Sequence, residues 1–176
     1  MKMNGNTPAN PAHTMVSLIG QRKSILVMCH NNPDPDTIAS VAALKSIVAQ
    51  ILHRKAVIGY DGIVGRAENR ELVRRLKIDM VHVNNLDFND FSVIALVDSQ
   101  PRTGNNAIPH KISPCIVIDH HPLRRETARC QFFDVRPYYG SSSTILTEYL
   151  RELELKIDLK LATALFYGLK TDTNGF

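Results

Sequence analysis

The sequence predicts an α/β protein, with a doubly wound and mainly parallel sheet flanked by helices. Short apolar runs rich in Val, Ile and Leu, at residues 24–29, 92–98 and 115–119, are typical of strands buried on both faces. These runs alternate with stretches whose apolar residues recur at helical spacing, which favours parallel strands joined by crossover helices. Each of the three runs leads directly into aspartate or histidine residues, and such sheets bind ligands at the carboxyl ends of their strands.

The first half of the chain contains three of the expected strands. A polar leader at residues 1–14, which we expect to be flexible, precedes a short helix and the first strand. Apolar residues recur at helical spacing from Ile38 to Ile51, so the next helix is expected there, capped by Asp36 or Thr37. A charged stretch between the second and third strands predicts another helix. In order, the elements are expected at residues 16–22 (helix), 24–29 (strand), 37–52 (helix), 56–60 (strand), 66–77 (helix) and 80–83 (strand).

The second half begins with two strands of the buried type, each of which ends in an acidic residue. A shorter apolar run is expected to be the last strand, and two helices follow it. The elements are expected at residues 92–98, 115–119 and 131–135 (strands), and at 142–155 and 159–170 (helices). One domain of residues 15–176 therefore accounts for nearly the whole chain.

Composition and charge exclude several classes of protein. The net charge of +4, from 21 Lys and Arg against 17 Asp and Glu, suits an anionic substrate but is too small for a protein that coats nucleic acid. The three cysteines have no CxxC spacing, which favours a reducing cytoplasm. The leader lacks the apolar middle of a signal peptide, and no uninterrupted apolar run approaches the roughly 18 residues of a membrane span. We therefore expect a cytoplasmic protein without a membrane partner.

The ends of three predicted strands carry the candidate chemistry. Because these ends lie on one edge of a parallel sheet, four aspartates and three histidines should converge there. Carboxylates packed so closely would repel one another unless divalent cations neutralised them. Mixed imidazole and carboxylate ligands without cysteine suit Mn²⁺, Co²⁺, Fe²⁺ or Mg²⁺, and their number fits two ions about 3.5–4 Å apart. The converging residues are His30, Asp34, Asp36, Asp98, Asp119, His120 and His121.

Four motifs occur in order and together resemble the DHH phosphoesterase superfamily. HNNPDPDTIAS at residues 30–40 resembles the first motif, H-x-N-P-D-x-D-x-x-x-S, and VDS at 97–99 resembles the second. DHH at 119–121 matches the third, and GLKTDTNGF at 168–176 resembles the fourth, G-x-x-T-D-T-x-x-F. The superfamily includes RecJ-type exonucleases, nanoRNase/pAp-phosphatase enzymes, cyclic di-nucleotide phosphodiesterases and family II pyrophosphatases.

The resemblance implies a role for each ligand candidate. His30 and Asp34 would hold one Mn²⁺, with Mg²⁺ or Co²⁺ as alternatives. Asp36, His120 and Asp172 would hold a second ion, and Asp98 would bridge the two. The implied catalytic residues are His121, Asp98 and Asp36, of which His121 would contact the phosphate. Asp119 is expected to orient a ligand or a loop instead of binding metal itself.

Three further residues are candidates for substrate contact. Ser142 lies in a Gly-Ser-Ser-Ser-Thr stretch whose amides could hold phosphate at the start of a helix, although simple helix capping explains the stretch equally well. Arg102 and Arg124 follow Asp98 and His121 closely and could reach a phosphate. A solvated loop arginine remains the alternative for both.

The predicted function is hydrolysis of phosphodiester or phosphomonoester bonds by metal-activated water. The motifs look most like the branch that acts on short oligonucleotides or on pAp. A cyclic di-nucleotide phosphodiesterase, an inorganic pyrophosphatase and a non-enzymatic metal- or nucleotide-sensing module are the alternatives. Superfamily members usually carry a second, carboxyl-terminal domain that contacts substrate. Nothing in residues 1–176 corresponds to it, so we expect it to be absent from this chain, and a homodimer is compatible with the sequence.

Overall fold

A six-stranded sheet, parallel throughout, forms the centre of the part of the chain that the structure describes. The computed structural model describes residues 9–20 and 22–175. The strands are β1 (Ile25–Met28), β2 (Ala56–Tyr60), β3 (Met80–His82), β4 (Val93–Val97), β5 (Ile116–Asp119) and β6 (Phe132–Val135). Their spatial order is β3-β2-β1-β4-β5-β6. The parallel α/β fold is therefore confirmed, and each predicted strand lies within one or two residues of its observed bounds.

Within residues 9–20 and 22–175, five helices accompany the sheet. They are α1 (Pro11–Ile19), α2 (Pro35–Leu52), α3 (Ala67–Leu76), α4 (Ser142–Glu152) and α5 (Leu159–Asp172). Helix α1 begins well before the predicted residue 16, and its residues Ala12 and Met15 are buried in the core. The prediction of a flexible leader is therefore wrong for residues 11–14, because Ala12, Met15 and Ile19 form an apolar stripe at helical spacing. The leader's residues 1–8 lie outside the described part of the chain.

The two faces of the sheet are covered differently. Alternate residues of β1 show this, because Ile25 and Val27 pack with the helices whereas Leu26 and Met28 face the opposite side. Helices α1, α2, α4 and α5 contribute to the first core. Loops and short 3-10 turns at Val83–Asn85 and Phe88–Asp90 cover the second face. The crossover segment between β3 and β4 is therefore a loop that packs through Leu86, Phe88 and Phe91.

The direction of strand progression reverses between β1 and β4. Both are parallel neighbours, and Met28 is level with Leu96 in their register. From β1 the chain proceeds to β2 and β3 on one side, and from β4 to β5 and β6 on the other. Such a switch point leaves a crevice at the carboxyl ends of the two strands. His30 and Asp98 come two residues after Met28 and Leu96, so they leave the sheet side by side.

Helix α2 fills the centre of the helical layer. It is 18 residues long and, by length and composition alone, is apolar enough to cross a membrane. Most of the helix is buried, however, and residues such as Leu44 and Ile47 belong to the core that covers the sheet. A core helix of this kind passes the same test, so α2 gives no indication of a membrane.

Helix α5 lies unusually close to the start of α2. A Cβ atom added to Gly168 would lie 2.6 Å from Ser143 Oγ, 2.9 Å from the carbonyl oxygen of Pro35 and 3.0 Å from the Cα of Asp36. Only glycine permits this approach without displacement, because its backbone carries no side chain. The close contact brings the carboxyl end of α5 to the edge of the sheet where the candidate ligands lie.

Candidate metal centre

The loop after β1 supplies His30 and Asp34. Asp34 is the N-cap of α2, because its carboxylate accepts a hydrogen bond of 2.9 Å from the Thr37 amide. This corrects the predicted cap, which was Asp36 or Thr37. The other carboxylate oxygen of Asp34, Oδ2, lies 3.6 Å from His30 Nε2. Burial lowers the pKa of His30, but Asp34 and Asp98 outweigh it and raise that pKa to about 10 in the metal-free site.

Asp98 lies at the centre of the cluster and contacts a histidine with each of its two oxygens. Its Oδ2 lies 3.6 Å from His30 Nε2, and its Oδ1 lies 3.5 Å from His120 Nε2. The side chain is 3% exposed and the backbone has a φ of 57°, a left-handed conformation that is uncommon for residues other than glycine. The Thr37 hydroxyl donates to Oδ2, and Ser142 Oγ donates to Oδ1 over 2.9 Å. Hydroxyl groups thus hold both oxygens in place.

Asp36, in the first turn of α2, is held by the start of α4. The amides of Ser142 and Ser143 each donate to one of its oxygens over 2.8 Å. Free amides at a helix amino terminus stabilise a carboxylate in this way. Even so, burial and the neighbouring Asp98 raise the pKa of Asp36 to about 7. The metal-free site therefore contains more negative charge than its donors compensate, as a cation-binding pocket would.

His120 and Asp172 complete the cluster. His120 Nε2 lies 3.2 Å from Asp172 Oδ2, at the last residue of α5. His120 Nδ1 lies 3.2 Å from the carbonyl oxygen of Tyr139, and His30 Nδ1 lies 2.8 Å from that of Asn31. A carbonyl oxygen can only accept, so both Nδ1 atoms are protonated, and Nε2 is the nitrogen of each imidazole that could bind metal. Burial raises the pKa of Asp172.

All six predicted ligands therefore meet in one place. Within each of three sets, one ligand atom per residue lies within 4.8 Å of the others, and Asp98 belongs to two of the sets. No thiolate takes part, since Cys29 Sγ instead contacts the Gly59 carbonyl oxygen over 3.5 Å and burial raises its pKa. The imidazole and carboxylate donors fit a divalent cation. The sets are His30, Asp34 and Asp98; Asp36, His120 and Asp172; and Asp98, His120 and His121.

His121 stands beside the cluster with its side chain 57% exposed. Its Nδ1 donates to Asp119 over 2.9 Å, and this bond, opposed by desolvation, raises the pKa of His121 to about 9. Its Nε2 is left for a ligand. Asp119 is 1% exposed and also accepts from Gln100 Nε2 over 2.6 Å. The buried carboxylate thus orients His121, which is the kind of orienting role predicted for it.

Gln100 was not identified from the sequence. Its Oε1 accepts from the Arg124 amide over 2.7 Å and from Thr127 Oγ1 over 2.8 Å, while its Nε2 also donates to the Pro122 carbonyl oxygen over 3.1 Å. The residue is 1% exposed and connects the ends of β4 and β5. A polar residue two positions after a candidate ligand was the available signal, but its partners are distant in the chain.

The three predicted substrate contacts have different outcomes. Arg124 borders a cavity of about 420 Å³ that His121 also lines. Arg102 instead donates to the His110 carbonyl oxygen over 3.2 Å and borders a separate pocket without a metal-ligand candidate. Ser142 is fully buried, and its amide and hydroxyl are both taken by carboxylates. This corrects the expected phosphate contact of Ser142, which positions Asp36 and Asp98.

The capping alternative holds for the neighbouring residue. Ser141 Oγ accepts from the Thr144 amide over 3.1 Å, so Ser141 is the N-cap of α4. The serine-rich stretch therefore caps the helix with one residue and holds two ligand carboxylates with the next two.

Comparison with known proteins places this geometry in a family. An uncharacterised protein of Methanocaldococcus jannaschii is 38% identical over 157 residues, covering 89% of this chain and 32% of that protein. A cyclic-di-AMP phosphodiesterase of Bacillus subtilis is 27% identical over 180 residues, covering 94% of this chain and 27% of that protein. A protein of Streptococcus mutans is named a probable bifunctional oligoribonuclease and PAP phosphatase. It is 25% identical over 172 residues, covering 93% of this chain and 50% of that protein.

This chain spans half or less of the length of each of these relatives. The model of the DHH family, N-terminal domain, matches residues 24–169, which include every ligand candidate except Asp172. The chain therefore belongs to the DHH family.

Proposed function

We propose that this chain forms the catalytic metal centre of a phosphoesterase that hydrolyses short oligonucleotides or nucleotides. Two Mn²⁺ ions would be held there, one by His30 and Asp34 and the other by Asp36, His120 and Asp172. Mixed imidazole and carboxylate donors favour such an ion over structural zinc, which prefers thiolate. Relatives named for cyclic-di-AMP and oligoribonucleotide hydrolysis support a nucleotide substrate.

One observation carries the proposal. The two oxygens of Asp98 face two histidines that belong to different ligand sets, at 3.6 and 3.5 Å. A carboxylate in this position can bridge two cations, whereas a single-metal site needs only one of its oxygens. Bound divalent cations would lower the pKa of a shared water and neutralise charge on the attacked phosphate.

The chain's own residues would bind and orient the substrate. His121 is held by Asp119 through Nδ1, so its Nε2 can donate a hydrogen bond to a phosphoryl oxygen or a proton to the leaving group. Arg124 borders the same cavity and adds positive charge. Asp36 and Asp98 are fixed by serine and threonine donors, which keeps the ligand geometry rigid before substrate binds.

The test measures phosphate-ester hydrolysis by the complete protein with Mn²⁺ and with a chelator. The substrates are bis-p-nitrophenyl phosphate, pAp, a short RNA, cyclic di-adenylate and pyrophosphate. We expect metal-dependent cleavage that is fastest on pAp or the short RNA. Preference for cyclic di-adenylate or pyrophosphate would change the substrate class, and absence of any metal-dependent cleavage would favour a sensing module.

Asp98→Ala tests the bridging role. We expect loss of one of two bound Mn²⁺ ions by calorimetry and a fall in the hydrolysis rate of at least about 100-fold, since a group that positions the reacting water is removed. Asp90→Ala is the matched control, because Asp90 is an exposed aspartate away from the cluster. Two ions and full activity in Asp98→Ala would refute the assignment.

A further inference from the structure

A second cavity opens on the candidate metal centre, on the side of α3. It is separate from the cavity that His121 lines. Its volume is about 370 Å³, within the range of small-molecule sites. Two candidate metal ligands, Asp34 and Asp172, form one wall. The other wall belongs to the segment that starts α3 and includes Arg66 and Asn69. A substrate that reached the metal ions could therefore extend into this space.

Asn69 is an unexplained residue of that wall. It is 5% exposed, yet its side-chain amide forms no hydrogen bond with any residue of 9–20 or 22–175. Its Oδ1 is enclosed without a partner, which leaves Nδ2 as the end of the amide that remains accessible. Because Nδ2 is a donor, the group that could pair with this end of the amide is a hydrogen-bond acceptor, such as an oxygen of an anion.

The start of α3 contains further hydrogen-bond donors that have no partner among the described residues. No side chain caps this helix, so the amides of Ala67 and Glu68 have no partner within the described ranges. Arg66, directly before the helix, forms no ion pair or side-chain hydrogen bond with the residues that the structure describes. The guanidinium of Arg70 donates to the carbonyl oxygens of Val64 and Gly65 and so holds this segment in place. Helix amino termini with free amides favour anions.

We propose that this cavity binds a second phosphate group of the substrate, one that is not cleaved. The inference rests on the proposed function and makes it more specific, since it selects substrates with two phosphates over simple monoesters. Asn69 Nδ2, the Arg66 guanidinium and the first amides of α3 would donate to the phosphate oxygens. The accessible groups of the α3 wall are mainly donors, which suits an anion better than a nucleobase edge. Glu68 is exposed in the same turn, and its carboxylate opposes the binding.

Binding is measured on the complete protein with Mn²⁺, using a dinucleotide analogue whose bridging oxygen is replaced by a methylene group. The analogue cannot be hydrolysed, and it is compared with and without a terminal phosphate by calorimetry. We expect the terminal phosphate to tighten binding about tenfold or more, the effect of one charge-assisted hydrogen bond. Arg66→Ala and Asn69→Leu should both abolish this preference.

Two controls separate ligand binding from folding. Arg75→Ala removes the same charge from the far end of α3, where Arg75 is 72% exposed and paired with Glu71, and should keep the preference. Asn69→Leu removes no hydrogen bond within the described chain, so its thermal midpoint should equal or exceed that of the wild type. A midpoint that falls by several degrees would indicate a structural role for Asn69 and overturn its assignment.

The preference for a terminal phosphate decides the inference independently of turnover. Equal binding of both analogues by the wild type, or a preference that survives both substitutions, would overturn it. A change in preference among bases in Asn69→Leu would show that the cavity holds a nucleobase instead. Failure of the proposed function would appear separately, as absence of metal-dependent hydrolysis of the natural dinucleotide.

Discussion

A Cβ atom on Gly168 would lie 3.0 Å from the Cα of Asp36, closer than an ordinary van der Waals contact. Backbone therefore packs against backbone where α5 crosses the start of α2. Asp172 follows about one helical turn after Gly168. The same contact therefore helps to place Asp172 Oδ2 at 3.2 Å from His120 Nε2. The packing of two helices thus helps to set the shape of the candidate metal centre.

Gly168→Ala should lower both stability and metal affinity. The added methyl group must displace α5, because the Pro35 carbonyl oxygen is also within 2.9 Å. Overpacking of this kind costs about 1–3 kcal/mol, measured as the change in free energy of unfolding without metal. Calorimetry should show weaker binding of the divalent ion for which Asp172 is a candidate ligand.

Gly20→Ala is the matched control for that substitution. Gly20 has a φ of −52°, and a Cβ atom there meets nothing closer than 3.4 Å. It should leave metal binding unchanged and should not lower stability, because Ala fits this helical conformation and restricts the unfolded chain more than Gly does. Unchanged metal affinity in a folded Gly168→Ala variant would contradict the link between helix packing and the site.

Asp119→Asn should lower the pKa of His121. The Asp119 carboxylate raises that pKa to about 9 through the hydrogen bond to Nδ1, and the neutral amide of Asn removes most of this effect. An NMR titration of His121 in the metal-free wild type and variant measures the change. An unchanged His121 titration would mean that Asp119 does not orient and charge it.

Metal binding should release protons, and fewer of them as the pH rises. In the metal-free protein the pKa of His30 is about 10, so its imidazole carries a proton at neutral pH that a metal ion must displace. Asp36, with a pKa of about 7, is mostly protonated at pH 6 and ionised at pH 8.5. Asp36 therefore contributes a proton to the number released on metal binding only at the lower pH.

Calorimetry in two buffers with different ionisation enthalpies counts these protons. We expect nearly one proton more at pH 6 than at pH 8.5, and apparent affinity for Mn²⁺ that increases over this range. A proton count that is zero, or that rises with pH, would contradict the charge state inferred for the metal-free cluster.

Tyr149→Phe should destabilise the fold without affecting metal binding. The Tyr149 hydroxyl donates over 2.8 Å to Asp134, and both residues are fully buried. Burial raises the pKa of Tyr149, so the hydroxyl stays protonated and keeps donating. Loss of a donor to a buried carboxylate costs about 1–3 kcal/mol, measured by denaturant unfolding.

Tyr139→Phe provides the comparison. The Tyr139 hydroxyl donates to Glu148 over 3.1 Å at the surface, so its removal should cost less than about 1 kcal/mol. The carbonyl oxygen of Tyr139 that accepts from His120 remains in this variant. Equal losses for the two variants would contradict the difference in burial as the cause.

The sequence predicted the strands and most of the site because both depend on local patterns. Apolar runs identify the buried strands, and a parallel sheet brings the residues after them to one edge. Asp172 was placed only by resemblance to a family, since nothing local reveals that Gly168 lets α5 reach that edge. The roles of Gln100 and Ser142 escaped prediction for a similar reason, because each bonds to carboxylates at least 19 positions away.

The start of α1 was missed for a different reason. Residues 9–14 are polar on average, which suggested a leader, although Ala12 and Met15 already begin the buried stripe. Average composition concealed a short periodic signal there. The neighbouring helix α2 has a much longer apolar pattern, and its predicted range agrees closely with the observed one.

Asp172 is the last of the ligand candidates to emerge during synthesis of the chain, long after His30. A ribosome-bound nascent chain therefore cannot complete the ligand set until α5 has left the exit tunnel and docked on α2. Until then, a divalent cation meets only an incomplete set of candidate donors and should dissociate readily. Metal loading is thus coupled to the docking of α5 on α2, so chains terminated before residue 172 should compete poorly for a scarce ion.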